Sequence, residues 1–218
     1  MTDTQTMATA AGLVRLSAQE SARRKQGWIA RVEALADFWV FGYGSLMWKQ
    51  GFPFVECRPA RVAGLRRAFC IWSHNYRGTP ERPGLVLGLA RLDRAAGAAE
   101  CAGRAFRIAD SDREAVIDYL WEREMNTGIY EPEILDAWTP GGPLPVHAFV
   151  VDGTHRQYAG HLTEEERADL IARAEGCMGP NRDYLFNTVS QLQDIGLTDP
   201  DLSTLAERVR RILAEDAP

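Results

Sequence analysis

Phe38-Trp39-Val40-Phe41-Gly42-Tyr43-Gly44-Ser45-Leu46-Met47-Trp48 is the stretch that orders the rest of the chain. Its first four residues are apolar and suit a short buried strand. They run directly into Gly42-Tyr43-Gly44-Ser45. Two glycines around one bulky residue let the backbone turn sharply and present successive N–H groups. Such groups hold a carboxylate or polarise a carbonyl without a charged side chain. A strand that ends in an amide-lined turn suits a small acidic substrate. The plainer alternative is a tight turn leaving a core strand, and the turn alone favours it, because short glycine motifs recur widely.

Three other glycine motifs are excluded. A phosphate-binding loop needs Lys before Ser or Thr, and Gly44 stands there. A nucleophile elbow needs Gly two residues either side of Ser45, where Tyr43 and Met47 lie. A dinucleotide fingerprint needs Gly at Met47.

Outward from this stretch, 218 residues suffice for one well-buried domain with an appended segment. A formal net charge of -5 argues against a broad nucleic-acid footprint. No apolar run approaches the ~20 residues of a transmembrane helix, and no signal-peptide core precedes Phe38, so the expected compartment is the cytoplasm. Cys57, Cys70, Cys101 and Cys177 form no Cys-x-x-Cys pair, and Cys70 and Cys101 read as buried small apolar residues. His74, His147, His155 and His161 form no helical pair, so no metal site is expected.

Residues 1–16 are Thr/Ala-rich and read as disordered. Ser17 to Glu20 is a capping-box pattern opening a helix to about Ala36, an extension packed beside the domain. Strands are expected at Phe38–Tyr43, Ala60–Trp72 with a bend near Gly64, Leu85–Leu92, Cys101–Ile108, Tyr130–Trp138 and Val146–Val151. Ser111 to Glu114 opens a helix among them, with Gly128 as its stop. Thr163 to Glu166 opens another, running to about Glu175. Two more follow, Arg182 to Ile195 and Leu202 to Leu213, with Asn181 a candidate cap for the first. Strands first and helices afterwards predict an α+β fold with a curved sheet or barrel.

The helix after Ser111 carries the chemical clue. At ~100° per residue, Val116, Ile117, Leu120 and Trp121 share one apolar face. Glu124 falls near the middle of that face, whereas Glu122 projects to the opposite side. A carboxylate so placed is paired, hydrogen-bonded or turned to a cavity. Burial and the negative end of the helix dipole both push its pKa upward. Pairing with Arg123, or emergence to solvent at a fraying end, is the alternative reading.

Four motifs follow one another: Val40 to Trp48, Arg77-Gly78-Thr79-Pro80, Arg123-Glu124 before Gly128 and Tyr130, and Gly179 to Phe186. In these the chain resembles the ChaC family of γ-glutamylcyclotransferases, which act on glutathione. The resemblance spans about residues 38–213. It implies a γ-glutamylcyclotransferase domain over 38–218, a small mixed β-barrel flanked by helices, with residues 1–37 an N-terminal extension. It puts the catalytic carboxylate on Glu124 and the glycine-turn motif on Gly42, Tyr43, Gly44, Ser45 and Leu46. Tyr130 and Tyr184 become candidates for lining the site. Ile129 departs from the pattern, standing where many relatives carry a second Gly.

The implied reaction splits glutathione into 5-oxoproline and cysteinylglycine by intramolecular aminolysis, with no cofactor or metal. Glu124 is the expected acid and base, and amides of Gly44 to Leu46 are candidates for an oxyanion or carboxylate. Arg66, Arg67 and Arg77 are candidates for the glycine carboxylate of glutathione. Two other functions remain: a cyclotransferase for other γ-glutamyl amino acids or amines, and a non-catalytic binding or regulatory module on the same fold. Retention of Glu124 argues against the second.

Overall fold

The computed structural model describes residues 15–92 and 99–216. They form two compact units, residues 15–66 with 89–92 and 99–155, and residues 67–88 with 156–216. Strands β3 (Leu65–Ser73) and β4 (Gly84–Arg91) run from one into the other.

The first unit opens with helix α1 (Ala18–Glu33). Ser17 caps it by accepting from the Glu20 N–H at 3.2 Å. The reciprocal half of the box is missing, because Glu20 turns its carboxylate to Arg23 and Arg24. The expected disorder of residues 1–16 lies outside the described residues except at Arg15 and Leu16, where the Leu16 N–H donates to Asn126 O.

Five strands follow in this unit: β1 (Phe38–Gly42), β2 (Glu56–Ala63), β5 (Glu100–Ile108), β6 (Tyr130–Thr139) and β7 (Gly142–Val151). Their order is β1-β5-β2-β6-β7, and a parallel bridge Val40↔His147 closes the ring. A closed barrel leaves none of these strands as a bare edge. The other ladders among these five strands are antiparallel, with β1 paired to β5 from Phe38↔Ile108 to Gly42↔Arg104. The long run from Ala60 is broken at Gly64, which takes φ +72 and separates β2 from β3. A side chain rarely adopts that φ, so the glycine marks the bend.

Helix α2 (Arg113–Glu124) is preceded by a 3-10 turn at Asp110–Asp112. The capping box expected from Ser111 does not form. Asp110 is claimed by Arg113 at 2.6 Å, and Ser111 lies inside the turn. Val116, Ile117, Leu120 and Trp121 are buried as their periodicity requires. They join Trp28, Val32, Phe38, Val40, Leu46, Phe106, Met125 and Phe149 in one core. Trp28 stacks on Trp121 with ring centroids 6.1 Å apart. Helix α1 thus fills part of the core, which its sparse apolar residues did not announce.

The second unit packs helices α3 (Glu164–Arg173), α4 (Asn181–Asp194) and α5 (Pro200–Glu215) on one another. The Thr163–Glu166 capping box forms in both directions. Asn181 does not cap α4, where Pro180 takes that place. Its buried amide instead makes two hydrogen bonds with the backbone of Leu85. Arg67, almost wholly buried, pairs with Asp199 at 2.9 Å, and Asp199 also caps α5 through the Leu202 N–H.

His147 lies in the first unit's core. Its Nδ1 accepts from Trp28 Nε1 at 3.3 Å, while its buried Nε2 has no hydrogen-bond partner among the described residues. Burial lowers its pKa to about 4, and the positive charges of Arg31 and Arg113 add to this. The unfolded chain titrates near ~6.5 and so binds the proton more readily. Stability is therefore full above that value and falls as pH drops toward the folded-state value. Between pH 7 and pH 4.5 the expected loss through this residue is about 2 kcal/mol. Urea melts at both pH values, with His147→Phe as comparison, check it. The variant should lose that much less stability on acidification than the unmodified chain.

Candidate active site

The glycine turn begins where β1 ends. Gly42 is the last strand residue, Gly44 precedes a 3-10 turn of Ser45, Leu46 and Met47, and Met47 N–H closes that turn on Gly44 O at 2.8 Å. The N–H groups of Ser45 and Leu46 come before that bond and have no partner within the turn. Neither Gly42 nor Gly44 takes a positive φ, so the turn does not rest on left-handed backbone. What it needs is room. A Cβ on Gly42 would meet Phe106 at 3.1 Å and Leu46 at 3.2 Å. From the neighbouring strand, a Cβ on Gly103 would come within 2.3 Å of Gly42 O and 2.7 Å of the Phe41 ring.

Glu124 ends α2, and its side chain is 16% exposed, whereas Glu122 faces solvent. This agrees with the face assignment made from periodicity. Burial raises the pKa of Glu124, and the positive charge and hydrogen bond of Arg123 act in the opposite direction. The pairing with Arg123 is present, with Nε 3.0 Å from Oε1.

Arg123 joins the helix end to the turn. Its Nη2 donates to Ser45 Oγ at 2.8 Å. Its Nη1 donates to Lys49 O, Gln50 O and Tyr119 Oη at 2.9, 3.2 and 2.9 Å. One planar cation therefore holds the carboxylate and the serine hydroxyl in the same neighbourhood. Gly51 makes this possible. It takes φ +75, and a Cβ there would fall 2.0 Å from Tyr119 Oη.

Of the residues singled out from sequence, the structure brings Ser45 and Glu124 together through Arg123. Tyr43 is buried, as is Leu46, and Tyr130 packs against the core that contains Leu46 and Met125. The basic candidates for a substrate carboxylate fare differently. Arg67 is committed to Asp199. Arg77 donates to Met178 O at 2.6 Å and lies over the Tyr184 ring at 5.1 Å. Cys70 and Cys101 are buried, as their strands suggested. Among the described residues no cluster of His, Cys, Asp and Glu is placed to hold a metal ion. Sequence reasoning saw Arg123 as a neutralising neighbour and missed Tyr119 and Gly51. The i,i+4 spacing of Tyr119 and Arg123 was the available signal.

Comparison with known proteins follows the same lines. The model of the ChaC-like protein family matches residues 38–212. A glutathione-specific γ-glutamylcyclotransferase of Escherichia coli is 35% identical over 83% of this chain and 76% of its own length. γ-Glutamylcyclotransferase 2-3 of Arabidopsis thaliana is 38% identical over 81% of this chain and 90% of its own. The crystal structure of a yeast γ-glutamyl cyclotransferase specific to glutathione superposes with TM-score 0.70. It is 23% identical and covers 81% of this chain and 97% of that one. The fold is thus that of the γ-glutamyl cyclotransferases. The chain belongs to the ChaC-like family.

The packing at Gly103 gives a test of the turn. Gly103→Ala should lower turnover by more than its effect on folding explains, because its Cβ would press on the carbonyl of Gly42. Turnover per folded molecule, with circular dichroism as the folding control, measures this. Full activity in a stably folded variant would show that the turn tolerates displacement.

Proposed function

We propose that this protein is a glutathione-specific γ-glutamylcyclotransferase, converting glutathione to 5-oxoproline and cysteinylglycine. The observation that carries the reading is a largely buried carboxylate, Glu124, linked through Arg123 to the glycine turn at Ser45. Membership of the ChaC-like family, and relatives named for this reaction, support it. The domain responsible spans residues 38–218, and residues 1–37 are an N-terminal extension.

The chemistry needs geometry and proton transfer. The α-amine of the γ-glutamyl group attacks its own γ-carbonyl and closes a five-membered ring. Nitrogen and carbonyl carbon must be held about 3–3.5 Å apart. The amine starts mostly as ammonium, so a base must first take a proton. Glu124 takes it as carboxylate; the attacking nitrogen sheds a second proton as the ring closes, and Glu124 returns one to the departing cysteinyl nitrogen as the C–N bond breaks, the other passing to solvent. Desolvation, which raises its pKa, favours the return step. N–H groups of the Gly44–Leu46 turn, with the Ser45 hydroxyl, stabilise the oxygen that gains charge or hold a substrate carboxylate. Gly42 and Tyr43 shape the turn, and Tyr130 lines the pocket. No metal or redox cofactor takes part.

The partner is a small molecule. A net charge of -5 disfavours nucleic acid, and among the described residues no helix is long and apolar enough to cross a membrane. The protein works in the cytoplasm.

Incubation with reduced glutathione, followed by mass spectrometry for 5-oxoproline, tests the function directly. Glu124→Gln keeps the shape and removes the base, so turnover should fall by roughly 10²–10⁴-fold. Glu122→Gln, on the exposed face, should change little. Equal losses in both would overturn the assignment. γ-Glutamyl-alanine should react more slowly than glutathione, because it ends one residue short and its carboxylate cannot reach the place of the glycine carboxylate. Equal kcat/KM for the two would replace this reading with a broad γ-glutamylcyclotransferase.

A further inference from the structure

The three nitrogens of the Arg123 guanidinium are all engaged: Nε with Glu124, Nη2 with Ser45, and Nη1 with Lys49 O, Gln50 O and Tyr119 Oη. The side chain is 21% exposed, so this is a largely internal hub on the last turn of α2. Arginine carries donors and no acceptor. Every contact it makes therefore consumes a lone pair on its partner.

That direction has consequences at two atoms. Ser45 Oγ has one proton and two lone pairs. With a lone pair taken by Nη2, its own proton cannot point at the guanidinium and is left to donate elsewhere. Accepting a charge-assisted hydrogen bond also makes the hydroxyl a stronger donor. At Glu124 the ion pair falls on Oε1, 3.0 Å from Nε. The two carboxylate oxygens are thereby made unequal.

We infer that Arg123 is a positioning residue of the reaction: it turns the Ser45 hydroxyl outward as a hydrogen-bond donor and anchors Glu124 through Oε1, leaving Oε2 to carry the proton. This rests on the cyclotransferase function proposed above. Arg123 touches no reacting atom itself. Its rigid fork, tied to two carbonyls and Tyr119, fixes the helix end to the turn. A lysine there has one nitrogen and cannot span Ser45 and Glu124 in the same planar geometry.

The test combines kinetics with pH. The unmodified protein, Arg123→Gln, Arg123→Lys, Ser45→Ala and the double variant Arg123→Lys/Ser45→Ala are assayed with glutathione from pH 4 to 9, with thermal melts as folding control. Arg123→Gln should lose roughly 10²-fold in kcat, the size of losing one preorganised donor. Removing a cation beside a carboxylate disfavours the charged form, so the acid limb of kcat/KM should move to higher pH. Arg123→Lys keeps the charge, so it should lose kcat with a limb that moves less. Tyr43, Lys49, Asp118, Tyr119, Glu122 and Tyr130, titratable side chains on the neighbouring segments, stay the same in every variant. In the double variant the losses should be less than the product of the single losses, because the lysine and the alanine break one shared contact.

A merely structural arginine would lower activity only in proportion to lost folded protein, with the limb unmoved and the two losses multiplying. That outcome overturns the inference while leaving the cyclotransferase reading intact. If Arg123→Gln does not fold, Arg123→Lys and the double variant decide by the same non-multiplicative criterion. An unmodified protein that produces no 5-oxoproline overturns the function, and this inference with it.

Discussion

Strand β1 is bonded on both sides, to β5 along its whole length and to β7 at Val40↔His147. This single closure turns five strands into a ring and removes their bare edges. It also fixes the point where β1 must leave the barrel, at Gly42. The glycine turn is therefore held by a strand paired on both sides, not by a free loop. Had β1 been an edge strand, the amides beyond it would have had no rigid origin. The close approach of Gly103 to Gly42 O belongs to the same constraint, since a side chain there would displace the strand end.

The second element of the site is brought by α2, and the packing of its apolar face sets its direction. Val116, Ile117, Leu120 and Trp121 turn into the core, with Trp28 of α1 stacked on Trp121. Glu124, one turn further on, follows the same face into a place where water is scarce. A carboxylate left there alone would stay protonated and be a poor base. Arg123 offsets part of that burial. Desolvation and one nearby cation thus act on the carboxyl in opposite directions, and the cation's share depends on the distance between adjacent residues, 3.0 Å.

Much of this was legible in the chain because it is local. The apolar run before Gly42, the bend at Gly64, the Thr163–Glu166 capping box and the face occupied by Glu124 follow from short-range periodicity and backbone preference. Where sequence reading failed, another partner had intervened. Ser111 is a capping residue by spacing, yet Arg113 draws Asp110 into a 3-10 turn and Ser111 falls inside it. Asn181 reads as a cap, but the backbone of Leu85 takes both ends of its amide. Arg67 reads as a substrate anchor and is instead buried against Asp199. Asn181 and Arg67 each found a partner far along the chain, and burial made that partner more valuable than a local one.

The sequence by itself determined the α+β order, the position of the glycine turn and the inward-facing carboxylate, because helix and strand periods tie side-chain direction to residue number. Only the tertiary structure decided that the strands close into a ring at Val40 and His147, that α1 supplies Trp28 to the core, and that Ser45 and Glu124 share one guanidinium. Residues 45 and 124 are far apart along the chain, and no local preference encodes their meeting. Arg123 reaches Ser45 because β1 and α2 pack on the same core, and Gly51 leaves the space in which Tyr119 supports it.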